Sequence, residues 1–306
     1  LAGNGGFVEV SGKGYLAFNG KVDVGAPSGA GGTLLLDPAN ITLTTADANT
    51  AGFTPPGDIT EAFTDDSGLD STFNVGAGGS FTGVTAGSNI ILQATNDIIV
   101  SSAFNVATAT SAANVSLTLA ANNNINVNAG VTVSGTGVLS MTADAGGSGV
   151  GTLALNGALI SQQGGIVLSG ASVTGMGTIN TTGATNQNGG NLSITATNGA
   201  VNLSGAITTT GGTAGASQQG RDAGMVTITG AGVTTGAITA NGSPGVTVGS
   251  SKAGGSGGAV QITSTGGVST TAIGASGFAA TTTNADGGNA GSITIANSGT
   301  GDILTT

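Results

Sequence analysis

Carboxylates, hydroxyls and carboxamides are the groups with which this chain would have to do chemistry, because its 306 residues include no histidine and no cysteine. Nucleophile systems built on Ser/His/Asp or Cys/His are excluded, and so are metal centres that need imidazole or thiolate ligands. Oxygen ligands remain. Asp65-Asp66-Ser67-Gly68-Leu69-Asp70 is an acidic run, yet it lacks the alternating ligand positions of an EF-hand loop, and the Gly-Gly-x-Gly-x-Asp array of calcium-binding β-rolls is absent from the sequence. It reads as a solvated acidic loop. Polysaccharide-cleaving β-helices cluster carboxylates with Arg or Lys at one scissile bond. In the second half of the chain the one adjacent pair of opposite charges is Arg221-Asp222, which reads as a local salt bridge within a long Gly/Gln loop.

Two further patterns carry little chemistry. Gly12-Lys13-Gly14-Tyr15-Leu16-Ala17 fits G-x-G-x-x-A, but a dinucleotide fingerprint must follow a strand and open a helix, whereas these glycines precede another strand and turn. Six Asn-x-Ser/Thr triplets, at Asn40, Asn114, Asn180, Asn191, Asn202 and Asn241, read as what chance supplies in a chain rich in Asn, Ser and Thr, with glycosylation as the alternative. No residue is therefore assigned a catalytic, cofactor-binding or metal-binding role, no cofactor is expected, and the chain reads as a non-enzyme.

Charge narrows the partners. The net charge of -10 arises from 14 acids against Lys13, Lys21, Arg221 and Lys252. Four cations cannot line a phosphate track, so nucleic acid and anionic membrane surfaces are poor partners. Half of the acids fall between Asp37 and Asp70, while residues 145–285 carry only Arg221, Asp222 and Lys252. The second half should expose a neutral surface of Thr, Ser, Asn and Gly. No apolar run approaches a membrane span, Leu34-Leu35-Leu36 and Ile98-Ile99-Val100 being among the longest, so a soluble chain without membrane insertion is expected. The absence of cysteine suits passage through an oxidising periplasm. Both ends fall inside patterned sequence, as in a piece of a longer protein.

Whatever function exists must be positioned by repeated short strands. A phrase returns as Gly190-Asn191-Leu192-Ser193-Ile194-Thr195, Gly224-Met225-Val226-Thr227-Ile228-Thr229, Gly258-Ala259-Val260-Gln261-Ile262-Thr263 and Gly291-Ser292-Ile293-Thr294-Ile295-Ala296. Its first apolar residues lie 34, 34 and 33 positions apart. Earlier, Ile90 to Ile98 superposes on Leu117 to Ile125 with Ala94 over Ala121, and weaker copies follow at Leu139 and Ile166. Alternation at period 2 turns Leu192 and Ile194 inward and Ser193 outward. Units this poor in aromatic residues can bury their apolar side chains only against one another.

The fold class expected is all-β: a right-handed parallel β-helix of about 10 to 12 coils with variable loops, its strands stacked about 4.8 Å apart. Glycine and Asn at the corners should supply positive φ, and Asn96, Asn123 and Asn198 should stack as an amide ladder. The chain divides into first coils over 1–45, an irregular acidic excursion over 46–88 and repeats of about 22 to 34 residues over 89–306. The excursion holds Pro55-Pro56 and Phe53, Phe63, Phe73 and Phe81, rings expected to pack over the side or end of the strand array.

Gly5-Gly6-Phe7-Val8-Glu9-Val10-Ser11-Gly12-Lys13, then Gly20-Lys21-Val22-Asp23-Val24, then Gly32-Thr33-Leu34-Leu35-Leu36-Asp37-Pro38-Ala39-Asn40-Ile41-Thr42, resembles the two-partner-secretion exoproteins of Gram-negative bacteria, filamentous haemagglutinin and the high-molecular-weight adhesins among them. Those carry Thr where Val10 stands and Trp where Leu34 stands. The resemblance implies a middle portion of an exported rod, secreted to the cell surface, with an outer-membrane partner transporter acting on the parent protein. It also implies partners among host-cell, bacterial or matrix surface receptors, glycans included. Open β-helix ends expose strand edges, so association between rods is a further expectation. Two alternatives compete with an adhesive shaft: a carbohydrate-active β-helix enzyme and the stalk of a contact-dependent toxin. Binding to ice or another crystal surface is disfavoured, because Thr208-Thr209-Thr210 and Thr281-Thr282-Thr283 are read as loop residues and strand threonines are interrupted by Ser, Gln and Val.

Overall fold

A computed structural model describes residues 3–11, 16, 23–26, 28–45, 70–245, 252–280 and 286–305. The inward apolar pairs stack in the order that the repeat demands: Leu192 pairs with Val226 and Ile194 with Ile228, and the next coils add Val260 and Ile262, then Ile293 and Ile295. Leu192, Ile194, Val226, Ile228, Val260 and Ile262 are buried, while Ser193 between them is only partly covered. The earlier superposition holds in the same way, with Ala94 beside Ala121 and Ile98 beside Ile125. Each Val, Leu or Ile withdrawn from water contributes about 1.5–3 kcal/mol, and parallel neighbours supply the backbone bonds that each coil lacks alone.

The result is a parallel β-helix with three faces. Among the described residues the first sheet has ten strands, from Phe7–Ser11 to Ile293–Asn297. The second also has ten, ending at Ile303–Thr305, and the third has seven short ones, from Phe104–Asn105 to Ile273–Gly274. One coil shows the path: Ser116–Ala121 lies in the first sheet, Ile125–Val127 in the second and Val131–Thr132 in the third, after which Leu139–Thr142 returns to the first. Ten coils match the lower end of the expected range. Among the described residues no helix is long and apolar enough to cross a membrane.

The first coils depart from simple winding. Asp70–Asn74 pairs in parallel with Asn40–Thr44 and forms the outer strand of the second sheet, on the side away from Ile98–Val100. The chain thus returns to a level it has already passed. No strand was legible there because Ser71, which faces inward and is fully buried, breaks the apolar alternation; its hydroxyl accepts the Leu16 backbone N–H at 2.7 Å. Phe73 and Phe81 are fully buried too, with ring centroids 6.2 Å apart, and Phe81 stacks on Phe104 at 5.3 Å. The two rings therefore fill the interior of the early coils. Phe53, Phe63, Pro55 and Pro56 lie outside the described residues.

A second departure is the helix Val106–Thr110, at the corner between the third sheet and the next coil. The Asn105 side chain accepts the Thr108 N–H at 3.2 Å, and Ser111 ends the helix with φ of 59°. Five residues are too few to show a helical period.

Candidate functional site

Coil length varies mainly at one corner. The turns from first to second sheet and from second to third are short in nearly every coil; Ala121 to Ile125 and Val127 to Val131 are examples. The passage from third sheet back to first varies most, and it is long in each of the later coils. It spans 161–165 in one coil, then 181–191, 209–225, 240–259 and 275–292. A side chain meant to meet a partner at variable reach would be placed here.

Over their described residues these long segments run as outgoing and return legs, and each rests on its neighbours. At the base, the N–H groups of Gly190, Gly224, Gly258 and Gly291 bond across to the carbonyls of Thr181, Thr209, Ala240 and Ala275 at 2.7–2.8 Å. Buried Thr181 and Thr209 add hydroxyl bonds to the Gly190 and Gly224 carbonyls, at 2.6 and 2.8 Å. The outgoing legs join through Gly183 N–H to Thr210 O, Gly211 to Asn241 and Gly242 to Ser276; the return legs join through Gly189 to Asp222, Ala223 to Ser256 and Gly257 to Asn289. Of Thr208-Thr209-Thr210, Thr208 ends the strand Ile207–Thr208, whereas Thr209 and Thr210 open the passage 209–225 as expected of loop residues, Thr209 buried and the Thr210 hydroxyl 3.0 Å from that of Thr182. The three join the third sheet to the base of the outgoing leg. Thr281, Thr282 and Thr283 lie outside the described residues.

Side-chain ladders run from coil to coil along these legs. Asn188 accepts the Asp222 N–H at 3.1 Å, Asp222 accepts that of Ser256 at 2.7 Å, and Ser256 accepts that of Asn289 at 3.3 Å. The local ion pair expected of Arg221-Asp222 is replaced by these separate roles. Adjacent residues of an extended leg diverge, so the Asp222 carboxylate enters the ladder while Arg221 donates to Gln218 at 3.3 Å and holds its Nε buried without a partner.

A second ladder, at the corner between first and second sheets, passes from Asn40 through Asp97 and Asn124 to the Thr152 N–H, at 3.1, 2.8 and 2.9 Å. Of the three asparagines expected to stack, Asn123 donates to Asn96 at 3.4 Å. Asn198 reaches the Gly149 carbonyl at 3.2 Å instead, because the inserted corner 143–151 lies between its coil and theirs. Positive φ is supplied by corner glycines and by Asn114 and Asn186, as expected, though not throughout. Among the described residues the positive-φ glycines run from Gly78 to Gly175, and none lies in the later coils.

The inserted corner is organised by Asp144, whose φ is 57°. Its carboxylate accepts the Ser148 hydroxyl at 2.6 Å and the Gly149 N–H at 2.9 and 3.0 Å. The Ser148 hydroxyl, with help from backbone N–H groups of Gly149, Ser148 and Gly151 and against some desolvation, holds the Asp144 pKa below its ordinary value. Asp37 is shifted the other way, upward, by burial first and by the Glu9 charge second.

The residues singled out for chemistry do not converge. Gly12, Lys13, Gly14, Tyr15 and Ala17 lie outside the described residues, as do Asp65, Asp66, Ser67, Gly68 and Leu69; Asp70 opens the inserted strand. Among the described residues no three acids group as metal ligands would. A shallow depression on the outer second sheet brings Asn202, Thr234 and Ser269 towards a single carboxylate, Asp302. Of the six glycosylation triplets, Asn114, Asn191 and Asn202 are exposed, but Asn114 and Asn191 spend their side-chain oxygens on the N–H groups of Thr136 and Met225. No family model, no curated protein and no solved structure matches the chain.

Proposed function

We propose that this chain is a length of shaft from a large secreted bacterial adhesin or filament, displayed on a Gram-negative cell surface. It meets host-cell, bacterial or matrix receptors, glycans among them, through the segments that join third sheet to first. One observation carries the reading: the core repeats in register while, from residue 166 onward, the variable length is gathered mainly at one corner. A shaft that presents recognition surface needs this division, with a constant interior and a tunable exterior. The phrases in residues 5–42 support export of the parent protein through an outer-membrane partner.

Carbohydrate cleavage would require two carboxylates or a metal at one bond, and the depression at Asn202 holds Asp302 alone. A variant in which 209–225 and 240–259 are each replaced by the short passage 161–165 tests the adhesive reading. It should keep its β circular dichroism and lose attachment to cells and matrix-coated surfaces. Undiminished attachment, or depolymerisation of a glycan panel by the unaltered protein, would refute it.

A further inference from the structure

We infer that the long corner segments 181–191, 209–225, 240–259 and 275–292, over their described residues, are a single glycine-packed fin: a second layer, held as firmly as the coils, that presents its outer residues as a preformed surface. Glycine in surface loops is ordinarily a source of freedom. Here its missing side chain is occupied by neighbouring backbone. A Cβ placed on Gly224 would fall inside contact distance of the Gly190 carbonyl oxygen; Gly258 meets that of Gly224, and Gly291 that of Gly258. These are the glycines of the returning phrase, and their φ values lie outside the left-handed region. Close approach, not turn geometry, selects glycine at these positions.

The same holds between the two legs of one segment. A Cβ on Gly211 would strike the Arg221 carbonyl oxygen, one on Gly242 that of Gly255, and one on Gly277 that of Gly288. Hydrogen bonds follow both directions. Gly255 N–H reaches Ser243 O across one segment, while Ser243 N–H reaches Arg221 O and Gly212 N–H reaches Gln187 O between segments, all at 2.9 Å. A flat ladder bonds only to the strands beside it; legs bonded both sideways and across are locked in three dimensions. The fin follows from backbone geometry and does not depend on what the rod attaches to.

Hydrogen exchange read by mass spectrometry on the whole chain tests it. Amides of 209–225 and 252–259 should exchange on the timescale of the strands Leu192–Ala196 and Val226–Gly230, although they carry no strand. Gly224→Ala should speed exchange in those segments by more than about tenfold while Val201–Leu203 and Val233–Thr235 stay protected. Gly232→Ala is the control, since an added Cβ there meets nothing nearer than 3.8 Å. Wild-type exchange within seconds across 209–225, or an unchanged profile in Gly224→Ala, would overturn the fin. Should Gly224→Ala fail to fold, the wild-type profile decides alone.

Discussion

Ser193 and Ile194 are neighbours in the chain with opposite surroundings, one facing water and the other lying between Leu168 and Ile228 within the stack. Ile194→Asp would bury a charge with nothing to pair it, costing about 4 kcal/mol or more, whereas Ser193→Asp should stay within about 0.5 kcal/mol. Chemical denaturation of the two variants separates them, and equal losses would mean that the facing is reversed. Asp144 gives a prediction in pH. Its folded pKa lies below that of the unfolded chain, so its contribution is complete above the unfolded value and disappears as pH falls through the folded one. The corner 143–151 should stay closed at neutral pH and open only in acid below 3.8. Ser148→Ala removes the largest cause of the shift and should move the carboxyl titration, followed by NMR, upward towards that value.

At the scale of strands and turns, the ladders contribute as acceptors for backbone groups rather than as amide stacks. Asn124→Ala leaves the Thr152 N–H without its acceptor and should cost about 1–3 kcal/mol. Asn128→Ala loses only an exposed 3.4 Å contact with Asn156 and should be nearly silent in the same denaturation measurement. The strands were legible in sequence because their inward residues are Val, Leu and Ile at period 2. The inserted strand was hidden by Ser71, and the helix by its five residues. The fin was hidden for another reason: glycine carries no hydropathy rhythm, and the contacts that require it join residues 33 or 34 positions apart, such as Gly190, Gly224, Gly258 and Gly291. Repetition of the phrase was visible; the carbonyl oxygen over each glycine was not.

Across the whole molecule, stability is a sum over coils, each resting on the one before and supporting the one after. Removing residues 166–191 joins the chain at equivalent points, since Ile166 and Leu192 pair in register. A shorter rod with native circular dichroism should result. Removing 166–178 would instead bring Ile179, of the third sheet, into the place of a first-sheet strand, and that variant should fail to fold. Coil-on-coil building also sets a timetable. A chain released amino end first can settle each new coil on a finished one, but the strand Asp70–Asn74 must take its place beside Asn40–Thr44, and Phe81 has no ring to stack on until Phe104 arrives. The coils around Asn40–Thr44 therefore wait, unfinished, until Phe104 has emerged, and the later coils are then added one at a time.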